Sequence, residues 1–278
     1  MTVFKFNIDF SKYKTIVVKV GTSTLTHETG MVNLRKIELL VKVLSDLQNS
    51  GKKIILVSSG AVSAGFAKIG FTDRPKLTAE KQAAAAVGQC ELMNMYDTLF
   101  SQYGHKVAQV LLTKDVVDNP TRRENCVNTF EVLLKMNCIP IINENDTISS
   151  VELEFGGNDT LSAYVATITK ADIVINLSDV DGFFDSNPRE NPDAKLIPLV
   201  NHISDEISSF AKSAGTARGT GGMIAKLRAA GIAAEAGIPM IIANGVNPRI
   251  LYHIVEGTFR GTLFTSENIT AEELELEH

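Results

Sequence analysis

Residues 139–166, IPIINENDTISSVELEFGGNDTLSAYVA, decide the fold of this 278-residue chain. The stretch begins with a short β-branched apolar run at 139–142, which predicts a buried strand. It ends in an alanine-rich segment that predicts a helix over 159–169. Between the two lies a cluster of carboxylates, amides and glycines: Asn143, Glu144, Asn145, Asp146, Gly156, Gly157, Asn158 and Asp159.

A strand that leads into such a cluster favours a site for a polar small molecule. In open α/β sheets, ligands bind in the crevice beyond the carboxyl ends of the strands. The alternative is a solvated surface loop, because Asn, Asp and Gly are also common turn residues. This stretch alone leaves both interpretations open.

The composition excludes several other classes of protein. Apolar residues make up 44% of the chain and charged residues 21%, as in globular proteins. No apolar run approaches the roughly 20 residues that span a membrane, and the N-terminus has no apolar core typical of a secretion signal. A net charge of -5 gives no whole-chain attraction to nucleic acid. The three cysteines lack metal-like spacing, so we expect a reduced, cytoplasmic protein without a disulfide framework.

Apolar strands and amphipathic helices alternate along the chain, which predicts a mostly parallel sheet in an α/β fold. We find no repeat or linker, and we expect a single domain over 1–270 followed by an acidic tail at 271–278. The last three residues of that tail resemble the remnant of an expression tag. The predicted strands are 15–20, 53–57, 107–112, 139–142, 171–177 and 240–243, and the predicted helices are 32–49, 80–100, 125–136, 159–169 and 224–236.

Four of the predicted strands are followed by polar loops, which parallel pairing would bring to one edge of the sheet. Lys19 lies one residue before the end of the first strand, where an ammonium group is unfavourable unless an anion or a carboxylate meets it. The alternative is a lysine on an edge strand that reaches solvent. The other three loops carry Ser59, Asp146 and Asp179.

A glycine-rich segment at 215–226, GTARGTGGMIAK, precedes the predicted helix at 224–236. Backbone N–H groups in such a segment can surround phosphate oxygens, and Lys226 follows in the first turns of the helix. The order of a Walker A loop is missing, and a flexible loop is the alternative interpretation. No catalytic serine, cysteine or histidine arrangement is evident. Two lysines, carboxylates and a glycine-rich loop suit phosphoryl transfer, which depends on positioning and charge neutralisation.

Seven sequence words, in order, resemble the amino acid kinase family: VVKVGTS at 17–23, VSSGAVSAG at 57–65, KQAAAAVGQ at 81–89, INENDT at 142–147, GGNDTLSA at 156–163, LSDVDG at 177–182 and GTGGMIAKL at 219–227. The resemblance covers about residues 14–266. It implies a three-layer αβα sandwich around a mostly parallel sheet. The words at 81–89 and 142–147 resemble the members that phosphorylate the γ-carboxylate of L-glutamate, the first step of proline biosynthesis.

The resemblance implies a role for each matching residue. Lys19 and Lys226 would stabilise charge on the transferring phosphoryl group, and Asp159 would hold both lysines. No residue is assigned as a metal ligand, because Mg²⁺ would accompany ATP through phosphate oxygens and water. The residues implied to bind glutamate are Ser59, Asp146 and Asn158. The residues implied to bind ATP are Lys19, Ser178, Asp179, Thr220, Gly221, Gly222, Met223, Ile224, Ala225 and Lys226.

The chain departs from the family pattern in three places. Many relatives continue into a C-terminal PUA domain, and the short chain leads us to expect a form without it. The segment NCVNT at 125–129 lacks an arginine that the family usually has there. Gly157 stands where many relatives carry an acidic residue near the glutamate and proline site, so feedback inhibition by proline is a weaker expectation than catalysis.

Two alternatives remain at this stage. Another kinase of the family, acting on aspartate, acetylglutamate or carbamate, would keep the lysines and the glycine-rich loop. A non-catalytic amino-acid sensor is expected to lack Lys19 or Lys226, and both are present. The alanine-rich helix at 80–100 and the resemblance suggest a dimer or a tetramer.

Overall fold

The computed structural model describes residues 3–6, 8–27, 29, 31–70, 77–149, 155–213, 222–265 and 274–277. Two of the long helices begin at residues that cap them: Asn33 and Asn119 each accept a hydrogen bond from the first turn that follows. The helices are α1 (Thr22–Leu25), α2 (Leu34–Asn49), α3 (Ala61–Ile69), α4 (Thr78–Ser101), α5 (Asp115–Asp118), α6 (Pro120–Lys135), α7 (Asn158–Thr169), α8 (Asp205–Ser213), α9 (Met223–Glu235) and α10 (Ile250–Glu256), with a 3₁₀ turn at Phe10–Lys12.

Eight of the strands form the central sheet, in the order β4-β5-β3-β2-β6-β10-β12-β9. All neighbouring pairs are parallel except β10 with β12. The strands are β1 (Val3–Phe6), β2 (Thr15–Val20), β3 (Lys53–Ser58), β4 (Lys106–Leu112), β5 (Cys138–Glu144), β6 (Ile173–Ser178), β7 (Phe183–Phe184), β8 (Leu196–Ile197), β9 (Leu199–Val200), β10 (Met240–Asn244), β11 (Thr258–Phe259), β12 (Gly261–Phe264) and β13 (Leu274–Glu277).

The sheet is buried on both faces because its central strands are mainly apolar. Side chains alternate along a strand, so Val18 and Val20 pack with helices α2, α4 and α10, while Val17 packs with α6, α7 and α9. This arrangement confirms the predicted three-layer αβα sandwich. No helix within the described ranges is both long enough and apolar enough to traverse a bilayer.

The backbones of helices α3 and α4 pack directly against each other because each helix contributes a glycine to the contact. A Cβ atom built on Gly65 would lie 1.7 Å from the carbonyl oxygen of Ala84. A Cβ atom on Gly88 would lie 1.8 Å from the carbonyl oxygen of Ala61. No side chain fits at either position, so these glycines allow the close contact between α3 and α4.

The predicted elements of the sheet are present, with ends shifted by a few residues at most except at α6, which begins at Pro120 and not at residue 125. The strand predicted at 240–243 is not the last one, since β11, β12 and β13 follow it. Strands β1, β11 and β13 form a separate three-stranded sheet that the pattern analysis missed. Each of these missed strands is four residues or fewer, too short for a periodic signal.

Candidate active site

The polar loops predicted to converge do so at one edge of the central sheet. Strands β5, β3, β2 and β6 are consecutive in the sheet and parallel to one another. Their carboxyl ends therefore lie side by side. Helix α7 begins at this edge, and it contributes two adjacent side chains, Asn158 and Asp159, that make separate sets of contacts.

Lys19 is buried on the face of the sheet that α7 covers. It lies two residues after Val17 on β2 and therefore on the same face, and its register partners are Val57 on β3 and Asn176 on β6. Only 6% of the residue is exposed, so the interpretation as an edge-strand lysine is wrong. Its Nζ atom lies 2.6 Å from Oδ1 of Asp159, which supplies the carboxylate that a buried ammonium group requires.

Asp159 joins three side chains at the start of α7. Its Oδ1 atom accepts from Lys19 and from Nδ2 of Asn176, the latter at 2.7 Å. Its Oδ2 atom accepts from Nζ of Lys226, in the first turns of α9, at 3.2 Å. We call these four residues, Lys19, Asp159, Asn176 and Lys226, the charged cluster.

Burial and charge act against each other in this cluster. Burial lowers the pKa of Lys19 and the charge of Lys226 adds to this effect, while Asp159 opposes it. Burial alone would raise the pKa of Asp159, but the two ammonium groups and the hydrogen bonds from Lys19 and Asn176 outweigh it and lower the pKa. An ionised carboxylate therefore holds two buried cations beside the sheet edge.

Asn158 belongs to a second network, which consists of hydrogen bonds between uncharged groups. Its Nδ2 atom lies 2.9 Å from Oγ of Ser59 and 2.9 Å from Oδ1 of Asn143, and it also approaches the backbone oxygen of Ser58. Asn143 in turn donates to Oε1 of Gln89, on α4, at 3.0 Å. We call Ser59, Gln89, Asn143 and Asn158 the amide cluster.

Glu144 connects the described residues on either side of residues 150–154. This buried carboxylate ends β5, and its Oε1 atom accepts from Oγ of Ser149 and from the backbone N–H of Phe155. Asp146 lies half-buried in the turn between Glu144 and Ser149. These hydrogen bonds hold Ser149 and Phe155 against the end of β5. Asp146 is close in sequence to Asn143 of the amide cluster.

A pocket beside the charged cluster contains several of the residues implied to bind ATP. Arg189 lies on one wall and pairs with Asp179, whose carboxylate is 2.6 Å away. Burial would raise the pKa of Asp179, but Arg189 lowers it. The turn at 186–189 is therefore part of the pocket wall. The lining residues are Ser178, Asp179, Val180, Gly182, Phe184, Ser186, Asn187, Pro188, Arg189, Gly222, Met223 and Lys226.

Some predicted site residues are not brought to this pocket. Thr220 and Gly221 lie outside the described residues, as does most of the glycine-rich segment. Ile224 is 49% exposed, and neither it nor Ala225 lines the pocket. Lys19 pairs with Asp159 and is not among the residues that line the pocket.

The sequence analysis missed three residues that shape the site. Asn176 was taken as part of an apolar strand, although an amide among buried aliphatic residues requires a partner and so could have been recognised. Gln89 ends the sequence word at 81–89 but was given no role, and Arg189 carried no such signal, because an arginine in a turn is an ordinary surface residue. Within the described ranges, no group of three or more His, Cys, Asp and Glu side chains could hold a metal ion.

Comparison with known proteins agrees with this geometry. The sequence model of the amino acid kinase family matches residues 14–244. Glutamate 5-kinase of Clostridium perfringens is 53% identical over 258 residues, which cover 91% of this chain and 96% of that protein. Glutamate 5-kinase of Listeria innocua is 51% identical over 258 residues, covering 91% and 94%.

Solved structures show the same fold at low sequence identity. UMP kinase from Ureaplasma parvum superposes with a TM-score of 0.63 at 15% identity, covering 91% of this chain and 99% of that one. Carbamate kinase from Giardia lamblia bound to AMP-PNP gives 0.63 at 17% identity, covering 92% and 100%. The chain belongs to the amino acid kinase family. Within that family it belongs with the glutamate 5-kinases, which it matches along nine-tenths of its length.

Proposed function

We propose that this protein transfers the γ-phosphoryl group of ATP to the γ-carboxylate of L-glutamate, forming γ-glutamyl phosphate for proline biosynthesis. The observation that carries the proposal is the charged cluster, in which one buried carboxylate holds two lysines beside a pocket at the sheet edge. The identity to glutamate 5-kinases supports glutamate as the acceptor.

The chemistry needs no general base. The γ-carboxylate of glutamate has an ordinary pKa of about 4.3, so it is already an anionic nucleophile at neutral pH. One of its oxygens attacks the γ-phosphorus, the new O–P bond forms, and the bond from that phosphorus to the β–γ bridging oxygen breaks to release ADP. The difficulty is repulsion between two anions, which Lys19 and Lys226 reduce by stabilising charge on the transferring group.

The amide cluster and its neighbours would hold the acceptor. Ser59 and Asn158 supply hydroxyl and amide groups, and Asp146 supplies a carboxylate for the ammonium group of glutamate. Because the cluster itself carries no charge, it can orient an anionic acceptor without neutralising the nucleophile. These assignments rest on the proposed substrate.

Ser178, Asp179, Gly222, Met223 and Lys226 would contact ATP in the pocket, and Thr220, Gly221, Ile224 and Ala225 are carried with them from the resemblance. The described residues offer no ready-made set of carboxylate ligands for Mg²⁺. We therefore propose that Mg²⁺ is held mainly by phosphate oxygens and water, where it would neutralise phosphate charge.

The direct test is acyl phosphate formation, trapped with hydroxylamine, with ATP and Mg²⁺ and a panel of glutamate, aspartate, acetylglutamate and carbamate. Product with glutamate alone supports the proposal. Product with another acceptor instead would keep the reaction type and overturn the substrate. Binding of glutamate without product from any acceptor would favour the amino-acid sensor.

Three further properties belong to the same proposal. Proline would compete at the glutamate site, although Gly157 has φ 108° and ψ 165°, a conformation suited to glycine, so no side chain reaches the site from there. A homo-oligomer is supported by an exposed row of small residues on α4: Ala79, Ala83, Ala86, Val87 and Cys90. Analytical ultracentrifugation would measure the oligomeric state.

A cytoplasmic location is supported by the three unpaired cysteines.

A further inference from the structure

Asn176 is a polar residue in the middle of an apolar sheet. It lies on β6 between Ile175 and Leu177, it is 0% exposed, and it pairs in register with Lys19 on β2. On its other side, it pairs with Ile242 on β10. An aliphatic residue at this position would satisfy the packing of the sheet, so the amide needs a separate reason.

The reason lies in the direction in which the amide points. The ionised carboxylate of Asp159 only accepts hydrogen bonds, so Asn176 must present Nδ2 to it, and the contact is 2.7 Å. This orientation leaves Oδ1 of Asn176 without a hydrogen-bond partner among the described residues. The fold therefore retains an unsatisfied buried acceptor in order to make one hydrogen bond to Asp159.

That hydrogen bond completes the restraint on the Asp159 carboxylate. Lys19 and Asn176 both approach Oδ1, which leaves Oδ2 for Lys226. Two ammonium groups on flexible stems do not fix the plane of a carboxylate by themselves, because each can follow the oxygen as it rotates. A donor on a central strand is immobile, and so it sets the rotation of the carboxylate.

We propose that Asn176 is a positioning residue for phosphoryl transfer: its amide fixes the Asp159 carboxylate so that Lys19 and Lys226 each receive one oxygen. This inference rests on the proposed function, because it concerns how the same cluster is held. Asn176 does not line the pocket, and its amide nitrogen donates to Asp159, through which it would act.

The test compares Asn176→Leu with Ser162→Ala in the hydroxylamine assay. Ser162 is also fully buried, but its Oγ atom donates to the backbone oxygen of Asp159 and not to the carboxylate. We expect Asn176→Leu to lower kcat by about 10- to 100-fold, because small displacements of catalytic groups have effects of this size, and to leave KM for glutamate within about twofold. We expect Ser162→Ala to keep kcat within about twofold.

Asn176→Asp adds a pH readout that a packing role would not produce. When two carboxyl groups are neighbours, the repulsion between their negative charges raises the pKa of one of them, so the pair keeps one proton to a higher pH. While the introduced carboxyl holds that proton, it can donate to Asp159 as the amide does, so turnover is partly restored at the low end of the pH range. As the pH rises and the proton leaves, the restored turnover is lost. Asn176→Leu has no such pH-dependent recovery.

The possible outcomes separate this inference from the proposed function. If the unaltered chain makes no product, the proposed function fails. The inference is then judged by the carboxyl-carbon NMR titration of Asp159, whose pKa should rise in Asn176→Leu and not in Ser162→Ala. If the unaltered chain is active and Asn176→Leu matches its kcat, the inference is overturned. If Asn176→Leu does not fold, the pH profile of Asn176→Asp decides, and a profile like that of the unaltered chain contradicts it.

Discussion

Asn158 and Asp159 are neighbours in the chain, but the first belongs to the amide cluster and the second to the charged cluster. Asp159 contacts two lysines and is 1% exposed, whereas Asn158 is partly buried and contacts hydroxyl and amide groups. At the start of α7, Asp159 therefore contacts β2 and β6, and Asn158 contacts β3 and β5. The comparison suggests that the site separates the stabilisation of phosphoryl charge from the recognition of the acceptor.

The separation has a physical advantage. A lysine placed against the acceptor carboxylate would bind it tightly and also reduce its nucleophilicity. Uncharged hydrogen-bonding groups orient the same carboxylate without that effect, while the lysines act where charge develops in the transition state. The following predictions break or sharpen this division, from the largest expected effect to the smallest.

Lys226→Met removes one cation from the charged cluster and leaves the Lys19–Asp159 pair in place. We expect kcat to fall by about 10²–10³-fold, the usual effect of removing a group that stabilises transition-state charge. KM for glutamate should change little, since the amide cluster is untouched. Steady-state kinetics with the hydroxylamine assay measures both. A normal kcat, or a loss confined to KM, would contradict the assignment.

Gly88→Ala tests the support of the amide cluster, because Gly88 precedes Gln89 on α4. The added Cβ would lie 1.8 Å from the carbonyl oxygen of Ala61, so the helices must separate. We expect a loss of about 1–3 kcal/mol in the free energy of unfolding, as for overpacked cores, together with a higher KM for glutamate. Urea unfolding measures the free energy of unfolding, and the hydroxylamine assay measures KM.

The matched control for that substitution is Gly231→Ala in α9. A Cβ atom there meets only Cδ1 of Ile203, at an ordinary 3.7 Å. The same change should therefore stabilise the chain by up to about 1 kcal/mol, since alanine is the better helix former. Equal destabilisation by both substitutions would show that the α3–α4 contact is not the cause.

Asp146→Ala should raise KM for glutamate by about tenfold, or about 1.4 kcal/mol, and leave KM for ATP almost unchanged. The reason is the proposed contact of this carboxylate with the ammonium group of glutamate. Thr147→Ala, at the next residue of the same turn, is the control, because Thr147 is exposed. Equal increases in both KM values would count against the assignment.

The smallest expected effect in the neutral range is that of pH on stability. The pKa of folded Asp159 lies below the ordinary 3.8, so its ionised form stabilises the fold above that pH. This contribution is lost as the pH falls through the lowered folded pKa. In urea unfolding, the difference between the unaltered chain and Asp159→Asn should be constant from about pH 7 to 5 and shrink below about pH 4. A difference that shrinks near neutral pH would contradict the ion-pair description.

The sheet was predictable because β2, β3, β5 and β6 are mainly apolar runs that lead into polar loops. That pattern also predicted that Lys19 and Asp159 would lie at one edge. The resemblance implied different roles for Asn158 and Asp159, but the contacts that separate them were not predictable, since the direction of a side chain at a helix start depends on three-dimensional packing. Asn176 and Arg189 were missed because their partners lie in other elements, 17 and 10 residues away.

The division into two clusters is tested most directly by calorimetric titration of glutamate into Lys226→Met and Asn158→Ala, each shown by thermal unfolding to be folded. We expect Lys226→Met to bind glutamate as the unaltered chain does. We expect Asn158→Ala to bind it about tenfold more weakly, since hydrogen bonds to the acceptor are lost. The opposite result, weak binding by Lys226→Met and normal binding by Asn158→Ala, would contradict the account.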